Sequence, residues 1–116
     1  MKKPPVLTKN GEFKRVYSRG KYAATDFLVI YCLNNKTETT RIGITASKKV
    51  GNSVRRNRMR RLIKENIRIL YGQLAKGFDI VIVARKNNNT ANLGIIGTEL
   101  RYLLHRVGLL DRECEC

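Results

Sequence analysis

Acidic residues are scarce in this chain: nine Asp and Glu stand against twenty-four Lys and Arg over 116 residues, a formal net charge of +15. Such a surplus exceeds what solubility requires and makes a polyanion the expected partner, nucleic acid ahead of an anionic membrane. Catalytic side chains are equally sparse. The single histidine, His105, falls in a segment whose apolar periodicity reads as packing. No CxxC or HxH pair is present to ligate a metal. The VGN turn lacks the spacing of a phosphate-cradling loop, and the acids are scattered, with no pair at helical spacing. These gaps argue against chemistry by this chain alone, so neither a catalytic set nor a metal set is expected.

Cysteine is nearly absent too. Cys32 lies in a strand-like segment, while Cys114 and Cys116 sit in the terminal ECEC. Three cysteines without a framework point to a reducing cytoplasm. One CxC pair is a weak soft-metal signal, and the end of the chain reads as a frayed tail. No apolar run reaches membrane-spanning length, and that of MKKPPVLTKN is too short for a signal peptide. The hydrophobic fraction of 42% is that of a folded domain. A single domain over 1–116 is expected, with an extended leader at 1–6 and a flexible tail at 109–116.

What is abundant is concentrated between Ser47 and Arg68, SKKVGNSVRRNRMRRLIKENIR. Lys48, Lys49, Arg55, Arg56, Arg58, Arg60, Arg61 and Lys64 precede its first acid, Glu65. Gly51 and Asn52 form a turn, and Asn52 or Ser53 can cap a helix running to about Leu70. At about 100° per residue, Met59, Leu62, Ile63, Ile67, Ile69 and Leu70 share one broad face. Asn57, Arg60, Arg61, Lys64 and Arg68 occupy the opposite arc, and Arg55 and Arg56 flank the apolar stripe in the first turn. Helices ordinarily favour acids at this end, where free N–H groups carry partial positive charge. Cations of one sign here cost stability in isolation, which marks a functional surface suited to phosphate oxygens. The competing interpretation is a solvated charged face.

Around that helix the pattern gives a first helix from Thr8 or Asn10 to Arg19, stopped by Gly20, with Phe13, Val16 and Tyr17 sharing a face. A short edge strand at Tyr22–Thr25 follows, then FLVIYCL (Phe27–Leu33), apolar on both faces as in a strand covered on each side. After the NNKTETT turn, Arg41–Ser47 alternates cleanly. Asp79–Ala84 (DIVIVA) is a buried strand. A last helix spans roughly Asn92–Val107, ended by Gly108. The sum is a two-layer α+β domain in the order α-β-β-β-α-β-α, a four-stranded sheet packed with helices.

SKKVGNSVRRNRMRRLIKE, centred on Arg56-Asn57-Arg58, resembles the signature of the protein subunit of bacterial ribonuclease P. The resemblance extends upstream through Leu7, Phe13, Val16-Tyr17, Gly20 and FLVIYCL, and downstream through DIVIVARK. Ser53 departs from the alanine often found there. The family implies a left-handed β-α-β crossover through the basic helix, against the usual hand. It also implies a small basic partner of a catalytic RNA that removes the 5′ leader of precursor tRNA, with Mg²⁺ held mainly by RNA. The enzyme is then a hydrolase whose catalytic centre lies in the RNA.

By this resemblance Lys48, Lys49, Arg55, Arg56, Asn57, Arg58 and Arg61 face the catalytic RNA. Phe13, Tyr17, Val29 and Tyr31 line a cleft for the single-stranded leader, with Arg60 and Lys64 at its edge. Aromatics in a basic groove suit sequence-tolerant binding of a single strand. For Phe13 and Val16, plain core packing is the alternative; the phenols of Tyr17 and Tyr31 argue for the groove. No protein partner is required. A ribosomal or assembly scaffold and a stand-alone nuclease remain alternatives. A membrane-surface role is the weakest, because the basic helix needs its apolar face for the core.

Overall fold

A computed structural model describes residues 4–110. Its elements run α1 (Asn10–Arg19), β1 (Lys21–Ala24), β2 (Leu28–Asn34), β3 (Arg41–Ala46), α2 (Ser53–Leu70), β4 (Phe78–Ala84) and α3 (Leu93–Arg106). Single 3₁₀ turns, Lys48–Val50 and Tyr71–Gln73, bracket α2. The expected order holds, with strand bounds moved by a residue or two.

The sheet order is β1-β2-β4-β3. β2 pairs antiparallel with both β1 and β4, while β3 runs parallel to β4, so α2 is the crossover between them. Alternation sorts the strand residues onto two faces. Leu28, Ile30, Cys32, Ile42, Ala46, Ile80, Ile82 and Ala84 point to α2 and α3, where Met59, Ile63, Ile67, Leu70, Ile96, Leu100, Leu103 and Leu104 complete the main core. Burial raises the Cys32 thiol above its ordinary pKa, against the opposing charge of Lys21. This sheet and its α2/α3 layer are the two expected layers. α1 lies across the other face, where Leu7, Val16 and Val81 form a second, smaller core.

Asparagine starts both long helices. Asn52 Oδ1 accepts from the Arg55 N–H at 3.0 Å, and Asn92 Oδ1 from the Ile95 N–H at 2.9 Å. Asn52 rather than Ser53 is therefore the cap. Asn66, on the buried stripe of α2, donates to the Leu93 carbonyl at 3.1 Å and stitches α2 to α3. Its side chain fits because Gly97 faces it; a Cβ there would meet Asn66 Oδ1 at 2.6 Å.

Two expectations change. Ile69, assigned to the apolar face of α2, is exposed; it lies about 100° round the helix from Leu70, beyond the edge of the buried stripe. Leu109 and Leu110, assigned to a flexible tail, are buried, and the Leu109 carbonyl accepts from the Ala75 N–H at 2.9 Å. The rest of that tail, with Cys114 and Cys116, lies outside the described residues. Residues 1–3 of the expected leader also lie outside the described residues; next to them the Pro5 carbonyl accepts from the Ile42 N–H at 2.9 Å and the Leu7 N–H donates to the Ile42 carbonyl at 3.0 Å.

Candidate nucleic-acid interface

The entry to α2 is a fixed corner. Val50 is buried, and Gly51 turns the chain at φ 145°, a conformation that disfavours side chains. Lys48 and Lys49 stand exposed on the turn before it, while Arg55, Arg56, Asn57, Arg58 and Arg61 fill the first turns of the helix. The seven residues expected to face RNA thus occupy one end of the molecule. Their partners are distinctive. Arg55 Nη2 donates to the Asn87 carbonyl (3.0 Å) and Arg58 Nη2 to the Ala91 carbonyl (2.9 Å). On the other flank, Arg60 Nη2 donates to the Ala46 carbonyl (3.3 Å) and Nη1 to Asn57 Oδ1 (3.1 Å). Among the described residues every acceptor is neutral, so the charge is fixed in place there without being cancelled. Arg56 Nε is enclosed with no acceptor. The ion pair on α2, Arg68 with Glu65 at 2.8 Å, comes more than a turn later.

The second surface follows from sheet register. Across the α1 face, Tyr22, Tyr31, Val81 and Gly43 form one row, and Ala24, Val29, Val83 and Thr45 the next. α1 covers the first row from Tyr31 to Gly43 and leaves Tyr22 exposed. Phe13 lies on Gly43, where a Cβ would meet its ring at 2.7 Å. Tyr17 meets Tyr31 edge-on with ring centroids 4.9 Å apart. The second row is only partly covered and makes a shallow floor beside those rings. Tyr17, Val29 and Tyr31 are therefore part-exposed on this face of the sheet, and Phe13 beside them is half-buried. Arg60 reaches the end of β3 at the edge of this face; Lys64 is exposed one turn further along α2. Tyr22, highly exposed and 5.9 Å from Tyr31, belongs to the same aromatic group and was missed. Pairing the two strands as a hairpin would have found it.

Sequence reasoning also missed what positions α1. Asp79, fully buried in β4, accepts from Arg41 Nε (2.9 Å) and Nη2 (2.8 Å) and from Asn35 Nδ2 (2.8 Å), with Arg15 of α1 at 3.5 Å. Arg41 also binds Glu12 of α1. The hydrogen bond from Arg41 holds the Glu12 carboxyl below the usual range. Arg41 is itself pushed above the ordinary guanidinium value, chiefly by its bonds to Asp79. A buried carboxylate is tolerable only with such partners.

That engagement bears on metal binding. Glu12 and Asp79 are already committed to arginine, and among the described residues no three His, Cys, Asp or Glu side chains gather as a ligand set. The described residues therefore offer no set that fits a Mg²⁺ ion. Among the described residues, no helix is long and apolar enough to cross a membrane.

Known proteins share this architecture. The family model for ribonuclease P matches residues 1–108. The chain is 42% identical to the ribonuclease P protein component of Alkaliphilus metalliredigens, over 90% of this chain and 95% of that one. It is 43% identical to that of Clostridium novyi, over 96% and 100%. Among solved structures, the Staphylococcus aureus RNase P protein superposes with a TM-score of 0.82 at 32% identity, covering 90% of this chain and 96% of that one. The Thermotoga maritima RNase P protein gives 0.79 at 28% identity, covering 88% and 96%. With the whole domain matched in sequence and in fold, the chain belongs to the ribonuclease P protein family, the protein components of the endoribonuclease that processes the 5′ ends of tRNA.

Proposed function

We propose that this protein assists a catalytic RNA in the cytoplasm by holding two RNAs on two surfaces. Lys48, Lys49, Arg55, Arg56, Asn57, Arg58 and Arg61 bind the catalytic RNA. The groove of Tyr17, Val29 and Tyr31, walled by Phe13 and edged by Arg60 and Lys64, takes the single-stranded leader of precursor tRNA. Mg²⁺ is held by the RNA, consistent with a chain whose clustered carboxylates are bound to arginine. The observation that carries this reading is the arginine set of α2, immobilised on neutral carbonyls and Asn57 with its charge unmatched. Fixed guanidinium groups can meet phosphates with little further loss of side-chain entropy.

Magnitudes favour base stacking in the groove. An aromatic pair such as Tyr17–Tyr31 contributes about 0.5–1.5 kcal/mol, whereas stacking a nucleobase contributes about 1–3 kcal/mol. A leader base can therefore compete for these rings. Reconstitution with the catalytic RNA and a labelled precursor tRNA tests the proposal. Enhanced release of the leader is expected; a scaffold protein would bind RNA without enhancing cleavage. Cleavage by the protein alone in Mg²⁺ would overturn the assignment of catalysis to RNA.

A further inference from the structure

The segment between β4 and α3, Arg85–Asn92, has the composition of a loop, yet it is tied down from several sides. Arg55 and Arg58 hold the Asn87 and Ala91 carbonyls from α2. Asn87 Nδ2 donates to the Asp26 carbonyl at 3.1 Å and its Oδ1 accepts from the Asn89 N–H at 2.8 Å. Arg85 Nη1 reaches the Thr25 carbonyl at 2.8 Å. These bonds leave the side chains of Asn88, Asn89 and Thr90 exposed beside the basic end of α2.

Under the loop is a cavity of about 240 Å³. Phe27, Val50, Met59 and Ala91 supply apolar lining, and Arg55, Arg58 and Arg85 join the loop amides around it. The volume falls below the roughly 300 Å³ at which pockets for drug-sized ligands begin, so it admits a single ring system. Apolar walls, neutral amides and a cationic rim together match an unstacked nucleotide: a base to bury, edges to hydrogen-bond and a phosphate to neutralise.

We propose that the Arg85–Ala91 loop is a second contact for the catalytic RNA, taking an unpaired nucleotide against this cavity, and that Arg55 and Arg58 also serve as its positioning residues. The inference rests on the proposal that the basic end of α2 faces that RNA, because the loop continues the same surface. Its chemistry differs, since the asparagines add hydrogen-bonding capacity without charge. They can both donate to and accept from base edges and 2′-hydroxyls, whereas the flanking arginines can only donate.

The test uses the full-length protein and the catalytic RNA, reading affinity against salt and the 2′-hydroxyl reactivity of unpaired nucleotides. Replacing Asn88→Ala and Asn89→Ala together removes exposed side chains without touching the loop's own bonds. Affinity should fall about fivefold, as for one or two lost hydrogen bonds. The salt slope should be unchanged because no charge is lost, and an unpaired nucleotide protected by the wild type should become reactive. Arg58→Lys keeps the charge but loses the fork that reaches Ala91, so it should lose the same protection at an unchanged slope. Wild-type affinity and an identical footprint for the asparagine pair would overturn the proposal. Arg61→Ala separates the two readings. If it weakens binding with a shallower slope while the asparagine pair does not, only the loop contact fails; if neither variant matters, the α2 surface fails with it.

Discussion

The two sides of this molecule use arginine in opposite ways. On the α1 face, Arg15 and Arg41 meet carboxylates: three ion pairs join them to Asp79 and Glu12, and Asp79 is fully buried. At the start of α2, Arg55, Arg58 and Arg60 meet backbone carbonyls and an asparagine. Both arrangements fix side chains, but only the first cancels charge. The charge on the α1 side is thus structural, setting where α1 lies on the sheet. The charge at α2 is held in readiness for a ligand. With nine acids available in the chain, placing Glu12 and Asp79 under α1 leaves the surplus where RNA is proposed to bind.

Breaking the first arrangement should have the largest effect. Among the described residues Arg41→Ala leaves Asp79 with Asn35 and the more distant Arg15, and removing one partner of a buried pair costs about 3 kcal/mol or more. Denaturant unfolding would measure it. A cost within the range of ordinary surface substitutions would mean that α1 is held by apolar packing alone. The second arrangement should behave conversely. Lys48→Ala with Arg61→Ala should leave stability within about 0.5 kcal/mol, since both side chains are exposed. The log–log salt dependence of catalytic-RNA binding should become shallower by roughly one unit or more. Unchanged slope and affinity would place the RNA elsewhere.

The contrast explains what could be read from the sequence. Elements were legible because helix and strand periods are local: α2 was bounded within a residue at each end by Asn52 and Leu70. The family motif likewise lies in one continuous stretch. Ile69 was misread because a hydrophobic arc was counted without knowing how wide the partner surface is. The Arg41–Asp79–Glu12 cluster was invisible because its members are joined by register. Arg41 and Asp79 are cross-strand neighbours only once β3 pairs in parallel with β4, and Glu12 arrives through packing of α1. For the same reason the sequence indicated that Arg55 and Arg58 are cationic but not that the β4–α3 loop would occupy them.

A smaller effect is expected in the groove. Replacing Tyr17 and Tyr31 with Ala should weaken binding of precursor tRNA to the holoenzyme several-fold, since even one lost stack is worth about 1–3 kcal/mol. Mature tRNA, which has no leader, should bind as before, and Phe at either position should be milder because the ring remains. Tyr31 is half-buried, so normal folding and catalytic-RNA binding of the variant must be established alongside. Equal losses for precursor and mature tRNA would sink the leader assignment.

The smallest effect concerns how α1 is tethered. Hydrogen bonding from Arg41 lowers the Glu12 pKa in the folded protein, while the unfolded chain titrates at the ordinary carboxylate value. Between those two values the unfolded state binds more protons, so stability rises with pH there. The contribution is fully present above the unfolded value and is lost as pH falls through the folded one. Glu12→Gln keeps an acceptor for the Lys9 N–H, which Glu12 Oε1 meets at 3.4 Å, and removes only the charge. Its stability profile should therefore be flatter than that of the wild type on the acid side of the ordinary carboxylate range. Above that range the two curves should run parallel, with the variant lower. Solvent reaches Glu12, so screening keeps the difference small, and low ionic strength is the condition that enlarges it. Profiles of the same shape at low salt would mean that Arg41 is held by Asp79 alone, leaving Arg15 as the remaining ionic link between α1 and the sheet.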